Sequence, residues 1–151
     1  MNQLLVKNSI TINASAEEVW DALVNPEKTA QYMFGCKVDS DWQQGSPVLW
    51  KMLYEGQEIV PVKGNLLVYQ PYSLLKFTVI EGNPSYPDIP ENHLNVIYEL
   101  EEQGEQTVLS VMQDGFETAA DGERRYNDVY NNGDGWNPIL TQIKGIVESA
   151  S

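Results

Sequence analysis

The chain has 151 residues, 42% of them apolar, and 22 acidic against 9 basic side chains give it a net charge of −13. That length fits one domain, residues 1–151, burying about 70% of its unfolded surface, and the apolar content excludes a disordered acidic tail. The cations are scattered singly except at Arg124-Arg125, so no basic face exists for nucleic acid or an anionic membrane.

Residues 4–12 are apolar and β-branched and read as a strand. Ser15-Ala16-Glu17-Glu18 has the form of a capping box, and Ala16, Val19, Trp20, Leu23 and Val24 follow at helical spacing. Asn25-Pro26 stops that helix, and Pro26 suits the first turn of a second short one. Ala30, Met33 and Phe34 are its expected apolar stripe, with Gly35 ending it. From residue 48 the period becomes two. Val48, Trp50, Met52 and Tyr54 alternate up to a hairpin turn at residues 55–58. Ile59 to Tyr69 reads as a long strand with Val60, Val62, Leu66 and Val68 on one face. Gly64 falls on that face, where it permits a bend or a close approach. After the turn at residues 70–73, Leu75, Phe77 and Val79 alternate, and residues 81–92, with three prolines, form a loop. Leu94, Val96, Tyr98 and Leu100 make the next strand, and Thr107, Leu109 and Val111 the last, ending at Asp114-Gly115. Tyr126, Val129 and Tyr130 suggest a short helix. Trp136, Ile139, Leu140, Ile143, Ile146 and Val147 form the clearest helical stripe in the chain. Pro138 demands a break between the two, after residue 131.

Strands joined by short turns pair antiparallel, and one face of such a sheet must be covered. The terminal helix is the long apolar element left to cover it. The expected fold is therefore α+β, a curved antiparallel sheet gripping a long C-terminal helix, with two short helices after the first strand.

Three stretches match a known pattern. They are residues 10–23 (ITINASAEEVWDAL), residues 63–78 (KGNLLVYQPYSLLKFT) and residues 135–144 (GWNPILTQIK). On these the chain resembles the helix-grip superfamily called SRPBCC, START-like or Bet v-like. Within it the chain is similar to the family homologous to the C-terminal domain of the activator of heat-shock-protein-90 ATPase. The eukaryotic activator carries a separate N-terminal domain for which this sequence has no room. The resemblance implies a cavity between sheet and terminal helix, and a hydrophobic small molecule or lipid as its occupant. A chaperone partner and a role in stress response are further implications.

The candidate lining is Trp50 and Met52 from one strand, Val62 and Leu66 from the next, then Phe77 and Val79, Val96 and Tyr98, and Leu109. Trp136, Leu140 and Ile143 would face them from the terminal helix. Trp20, Tyr32, Trp42 and Tyr54 are the other large rings singled out, and Trp20 is expected to pack on the sheet.

Catalytic and metal chemistry find little support in the pattern. One histidine, His93, and one cysteine, Cys36, exclude a His/Cys zinc site and an intrachain disulfide. The segment Asp128 to Asp134 has a calcium-loop flavour, but Tyr130 and Ile139 stand where carboxylates belong, so it reads as a helix-capping loop. No GxSxG signature occurs. His93 is out of phase with the apolar face and is expected to face solvent. Cys36 reads as a small buried hydrophobe, Arg124-Arg125 as a solvated face, and Glu99, Glu101, Glu102 and Glu105 as an outward acidic edge. No catalytic residue, metal or cofactor is expected. An enzyme of the cyclase or hydrolase kind would need a polar pair inside the cavity, with His93, Tyr98 or Glu99 as candidates. No apolar run approaches a membrane span of ~18 residues, and the first residues lack a signal-peptide layout. The expected location is the cytoplasm.

Overall fold

The computed structural model describes residues 4–149. Seven antiparallel strands form one curved, unclosed sheet in the order β1-β7-β6-β5-β4-β3-β2. The strands are β1 (Val6–Ile12), β2 (Lys37–Ser40), β3 (Pro47–Tyr54), β4 (Gln57–Gln70), β5 (Leu74–Glu81), β6 (Leu94–Gln103) and β7 (Gln106–Asp114). Helices α1 (Ala16–Val24) and α2 (Pro26–Tyr32) follow β1, and α3 (Gly122–Tyr130) and α4 (Asn137–Ser149) follow β7. The expected helix-grip architecture is the one found.

Local chemistry explains most boundaries. Ser15 caps α1 by accepting from the Glu18 amide at 3.2 Å. The Glu18 carboxylate answers by accepting from the Ser15 hydroxyl rather than from the Ser15 backbone. Glu102, expected to point outward, shares the phase of Leu100 and accepts from the Ala16 amide at 2.9 Å, adding a negative charge at the helix N-terminus. Asn25 caps α2 through the Glu27 amide, with Pro26 in its first turn. The β3–β4 hairpin turns through Glu55 (φ 51°) and Gly56 (φ 79°), both left-handed as a tight two-residue hairpin requires.

Besides Glu102, four sequence expectations are revised. Strand β2, unread in the sequence because it has four residues and a single buried one, Val38, pairs with β3 at the sheet edge. Helix α2 buries Thr29 and Tyr32, not a stripe of Ala30, Met33 and Phe34. It ends at Tyr32, and Phe34 takes a left-handed conformation that turns its ring outward. Val68 does not share the face of Leu66. A bulge in β4 between Leu66 and Val68 shifts the register, so Tyr69 replaces it against the core. Arg125 is no solvated face. It is 5% exposed, donates to the Asn92 and Ala120 carbonyls and lies over the Tyr86 ring. Only Arg124 of the pair is surface-bound, to Asp121, Asp128 and Glu81.

Two close approaches give the sheet its curvature and seat its helix. A Cβ on Gly64 would stand 1.6 Å from the Thr78 carbonyl oxygen, so β4 and β5 meet there only because the side chain is missing. Pro61, which has no N–H to give a ladder, sits in a second irregularity of the β3–β4 register. Between α3 and α4 the chain breaks through Asn131, Asn132, Gly133 and Gly135, all at positive φ. The Trp136 amide then donates to Asn8 of β1, which anchors the start of α4. Helix α4 buries Leu140, Ile143 and Val147 and packs on β1, α1 and α2. It thus covers one side of the concave face and leaves the part formed by β3, β4 and β5 to other residues.

Candidate functional site

Where α4 begins and leaves the sheet, a cavity of about 410 Å³ opens on the concave face. Its floor is Trp50, Met52, Pro61, Val62, Phe77, Val79 and Val96. Met33 and Cys36, from the α2–β2 connection, close one side with Phe34 at the rim, and Val129 of α3 with Trp136 and Ile139 of the α4 start close the other. The polar groups of the lining are the carboxamide of Gln113, the thiol of Cys36 and the indole N–H groups of Trp50 and Trp136. Burial pushes the Cys36 thiol up, which keeps it neutral and weakly nucleophilic.

Of the residues expected to line a cavity, the structure brings Trp50, Met52, Val62, Phe77, Val79, Val96 and Trp136 together. Leu66, Tyr98, Leu109, Leu140 and Ile143 are fully packed in the core instead. The division has a simple cause. Leu140 and Ile143 lie one and two turns along α4 from Trp136, where the helix is already seated on β1. Tyr98 and Leu109 lie on β6 and β7, on the β1 side of the sheet, and Leu66 of β4 is buried in the same core. A row of rings, Trp50, Phe77, Tyr98 and Trp136, has neighbouring centroids 6.0–6.1 Å apart, and all of them but Tyr98 line the cavity. Trp20 is buried, as expected, in a separate aromatic group with Tyr69 and Tyr72, and Trp42 stacks on Tyr69.

Lining residues absent from the sequence reading fall into two kinds. Met33, Phe34, Cys36 and Val129 belong to connections or short helices, Pro61 to the irregular part of β4 and Ile139 to the start of α4, and the place of each is set by tertiary contacts. Gln113 was legible, because the alternation Thr107, Leu109, Val111 continues to it. It is 5% exposed on the inner face, beside Val6 of β1 and Val96 of β6. Its Oε1 accepts from the Trp136 indole N–H at 3.1 Å.

The candidates for acid–base chemistry are kept apart. Tyr98 points into the core, its hydroxyl has no hydrogen-bond partner among the described residues, and burial pushes its ionisation far up. Glu99 is exposed on the opposite face. His93 also lies on that outer face, but it is not solvent-facing as expected. Its side chain is only 8% exposed, beneath the loop at residues 82–92. There Asn65 N–H donates to Thr78 Oγ1 (3.0 Å), and Thr78 Oγ1 meets His93 Nδ1 (2.9 Å). His93 Nε2 meets Asp88 (2.6 Å), whose other oxygen pairs with Lys63 (3.1 Å). The hydroxyl–imidazole–carboxylate order is that of a nucleophile relay. Here, however, every polar atom is engaged within the protein and the array lies across the sheet from the cavity. It ties the loop to β5. No group of three or more potential metal ligands occurs among the described residues, and no described helix is long and apolar enough to cross a membrane.

The comparisons with known proteins agree with this architecture. A family model described as "Activator of Hsp90 ATPase homolog 1-like protein" matches residues 13–148. No match is found among curated proteins. The solution structure of ChR145 from Cytophaga hutchinsonii is similar at 32% identity and a TM-score of 0.72, over 99% of this chain and 98% of that one. Protein NE0264 from Nitrosomonas europaea is similar in fold, at 17% identity and a TM-score of 0.71 over 97% and 96% of the two chains. A chain of the Aha1 dimer from Colwellia psychrerythraea is likewise similar in fold, at 16% identity and a TM-score of 0.66 over 95% and 96%.

Proposed function

The chain belongs to the family of activator of Hsp90 ATPase homolog 1-like proteins, and on that footing we propose that it is a non-catalytic binding module for a hydrophobic small molecule or lipid. The observation that carries this reading is the apolar cavity of about 410 Å³ between Trp50, Phe77 and Trp136, open at Phe34. Its size lies within the range of small-molecule sites. The absence of a charged side chain from its lining favours neutral, apolar occupants. The separation of His93, Tyr98 and Glu99 supports binding over acid–base chemistry, since a general base must reach the bound molecule.

Magnitudes favour larger ligands. Burying ~250 Å² of apolar ligand surface gains about 6 kcal/mol, of which association removes at least ~4 kcal/mol. A ligand that fills the cavity is therefore the one that binds usefully.

The test uses the neutral fluorophore N-phenylnaphthylamine. Saturable binding at one site is expected, with fluorescence enhancement. Val79→Phe, which fills the floor with a second ring, should weaken it about tenfold or more, while thermal unfolding shows the variant folded. If the unsubstituted protein does not bind the fluorophore, or Val79→Phe binds it equally, the proposal fails.

A further inference from the structure

A carboxamide has an acceptor end and a donor end. Gln113 is engaged within the protein at its acceptor end alone, and its Nε2 is not one of the sealed polar atoms without a partner, so it reaches open space. The Trp136 indole N–H is a donor and cannot accept, so the atom it reaches at 3.1 Å must be the Gln113 oxygen. That fixes the orientation of the amide, which is otherwise ambiguous. Both Nε2 hydrogens are then turned away from Trp136, and no acceptor among the described residues meets them. Gln113 forms wall in the cavity and in the adjoining cleft beside Pro138 and Ile139. The inner-face neighbours on its two flanking strands, Val6 and Val96, offer no oxygen from their side chains.

We propose that Gln113 is the recognition residue of the cavity, its Nε2 donating to an oxygen of the ligand. The ligand class is then a neutral, largely aromatic or alicyclic carbonyl compound, a ketone, aldehyde or ester. This rests on the reading of the cavity as a binding site and narrows what it takes. Carboxylates and phosphates are disfavoured. No lysine or arginine lines the cavity, the chain as a whole carries −13, and a neutral amide does not offset the desolvation of a buried anion. Obligate donors are disfavoured too, because the Gln113 oxygen is already taken by Trp136.

The test compares methyl naphthyl ketone with isopropenylnaphthalene, in which a methylidene group replaces the carbonyl oxygen at nearly constant shape. Affinities are read by NMR from the indole N–H signals of Trp50 and Trp136, and the Gln113 side-chain amide is followed in parallel. The ketone should bind about tenfold tighter to the unsubstituted protein, and it alone should shift the Gln113 amide. The double variant Gln113→Met/Trp136→Phe, which removes the amide without releasing the indole donor that it holds, should bind both molecules with equal affinity, read at Trp50. Equal affinities in the unsubstituted protein, or a ketone preference that survives in the double variant, would overturn the assignment of Gln113 and leave the cavity reading standing. Failure of both molecules to bind would overturn the cavity reading as well. The comparison within the unsubstituted protein holds even if the double variant does not fold.

Discussion

Phe34 is 81% exposed at the cavity mouth and holds a left-handed backbone, φ 56°. Both features are unfavourable for stability. The conformation costs a non-glycine residue roughly 1 kcal/mol, and the ring gains little from burial. Such a combination marks a position where something other than folding selects the residue. Phe34→Gly is therefore expected to leave the thermal midpoint equal or higher, while N-phenylnaphthylamine binds more weakly. Unchanged binding, or a clear loss of stability, would show that the ring serves the fold and not the mouth. Tyr98 offers a contrast. It was expected among the cavity rings because its strand phase is right, yet phase alone does not separate a packed ring from an exposed one. Its hydroxyl is buried without a partner.

At the level of elements, the loop at residues 82–92 is held by groups from outside it. Asn92 accepts from the Ala120 amide and donates to the Pro87 carbonyl, and Arg125 of α3 donates to the Asn92 carbonyl. Asp88 joins His93 to Lys63 of β4. The hydrogen bonds from His93 and Lys63 lower the Asp88 carboxyl below its ordinary 3.8. A carboxyl lowered in the folded state contributes stability that is complete above its unfolded value. That stability is lost as pH falls through the folded value. Urea unfolding should accordingly show declining stability on acidification below about pH 4, with a shallower decline in Asp88→Asn. Parallel acid limbs would mean that the tether carries no stability. The sequence marked this segment as a loop from its prolines but not its attachment, because the partners come from β4, β5 and α3.

Across the whole molecule, a net charge of −13 repels itself in the compact state, while ion pairs such as Lys28–Asp21 and Lys51–Asp39 sit at the surface. Each exposed pair is worth at most about 1 kcal/mol, so the screening of net repulsion should outweigh the weakening of pairs. At about 0.5 M NaCl, where the Debye length falls to about 4 Å, the thermal midpoint should rise. A fall would mean that the specific pairs dominate. Among the described residues the same charge distribution leaves one buried ion, Arg125, held by its carbonyls and the Tyr86 ring.

Period and punctuation in the sequence determined the strand and helix order, the antiparallel pairing and the break before Trp136. Those features are local, since alternation, caps and prolines act within a few residues. The alternation through Thr107 to Val111 also placed Gln113 inward, although its importance is not visible without Trp136. Tertiary structure decided the rest. Whether the concave face is filled depends on where α4 lands, and Asn8 fixes that start from the far edge of the sheet. Bulges in β3–β4 and β4–β5 shift the phase of side chains that a uniform alternation assigns. The cavity exists because the helix reaches β1 before it has covered β3, β4 and β5, and no single segment contains that distance.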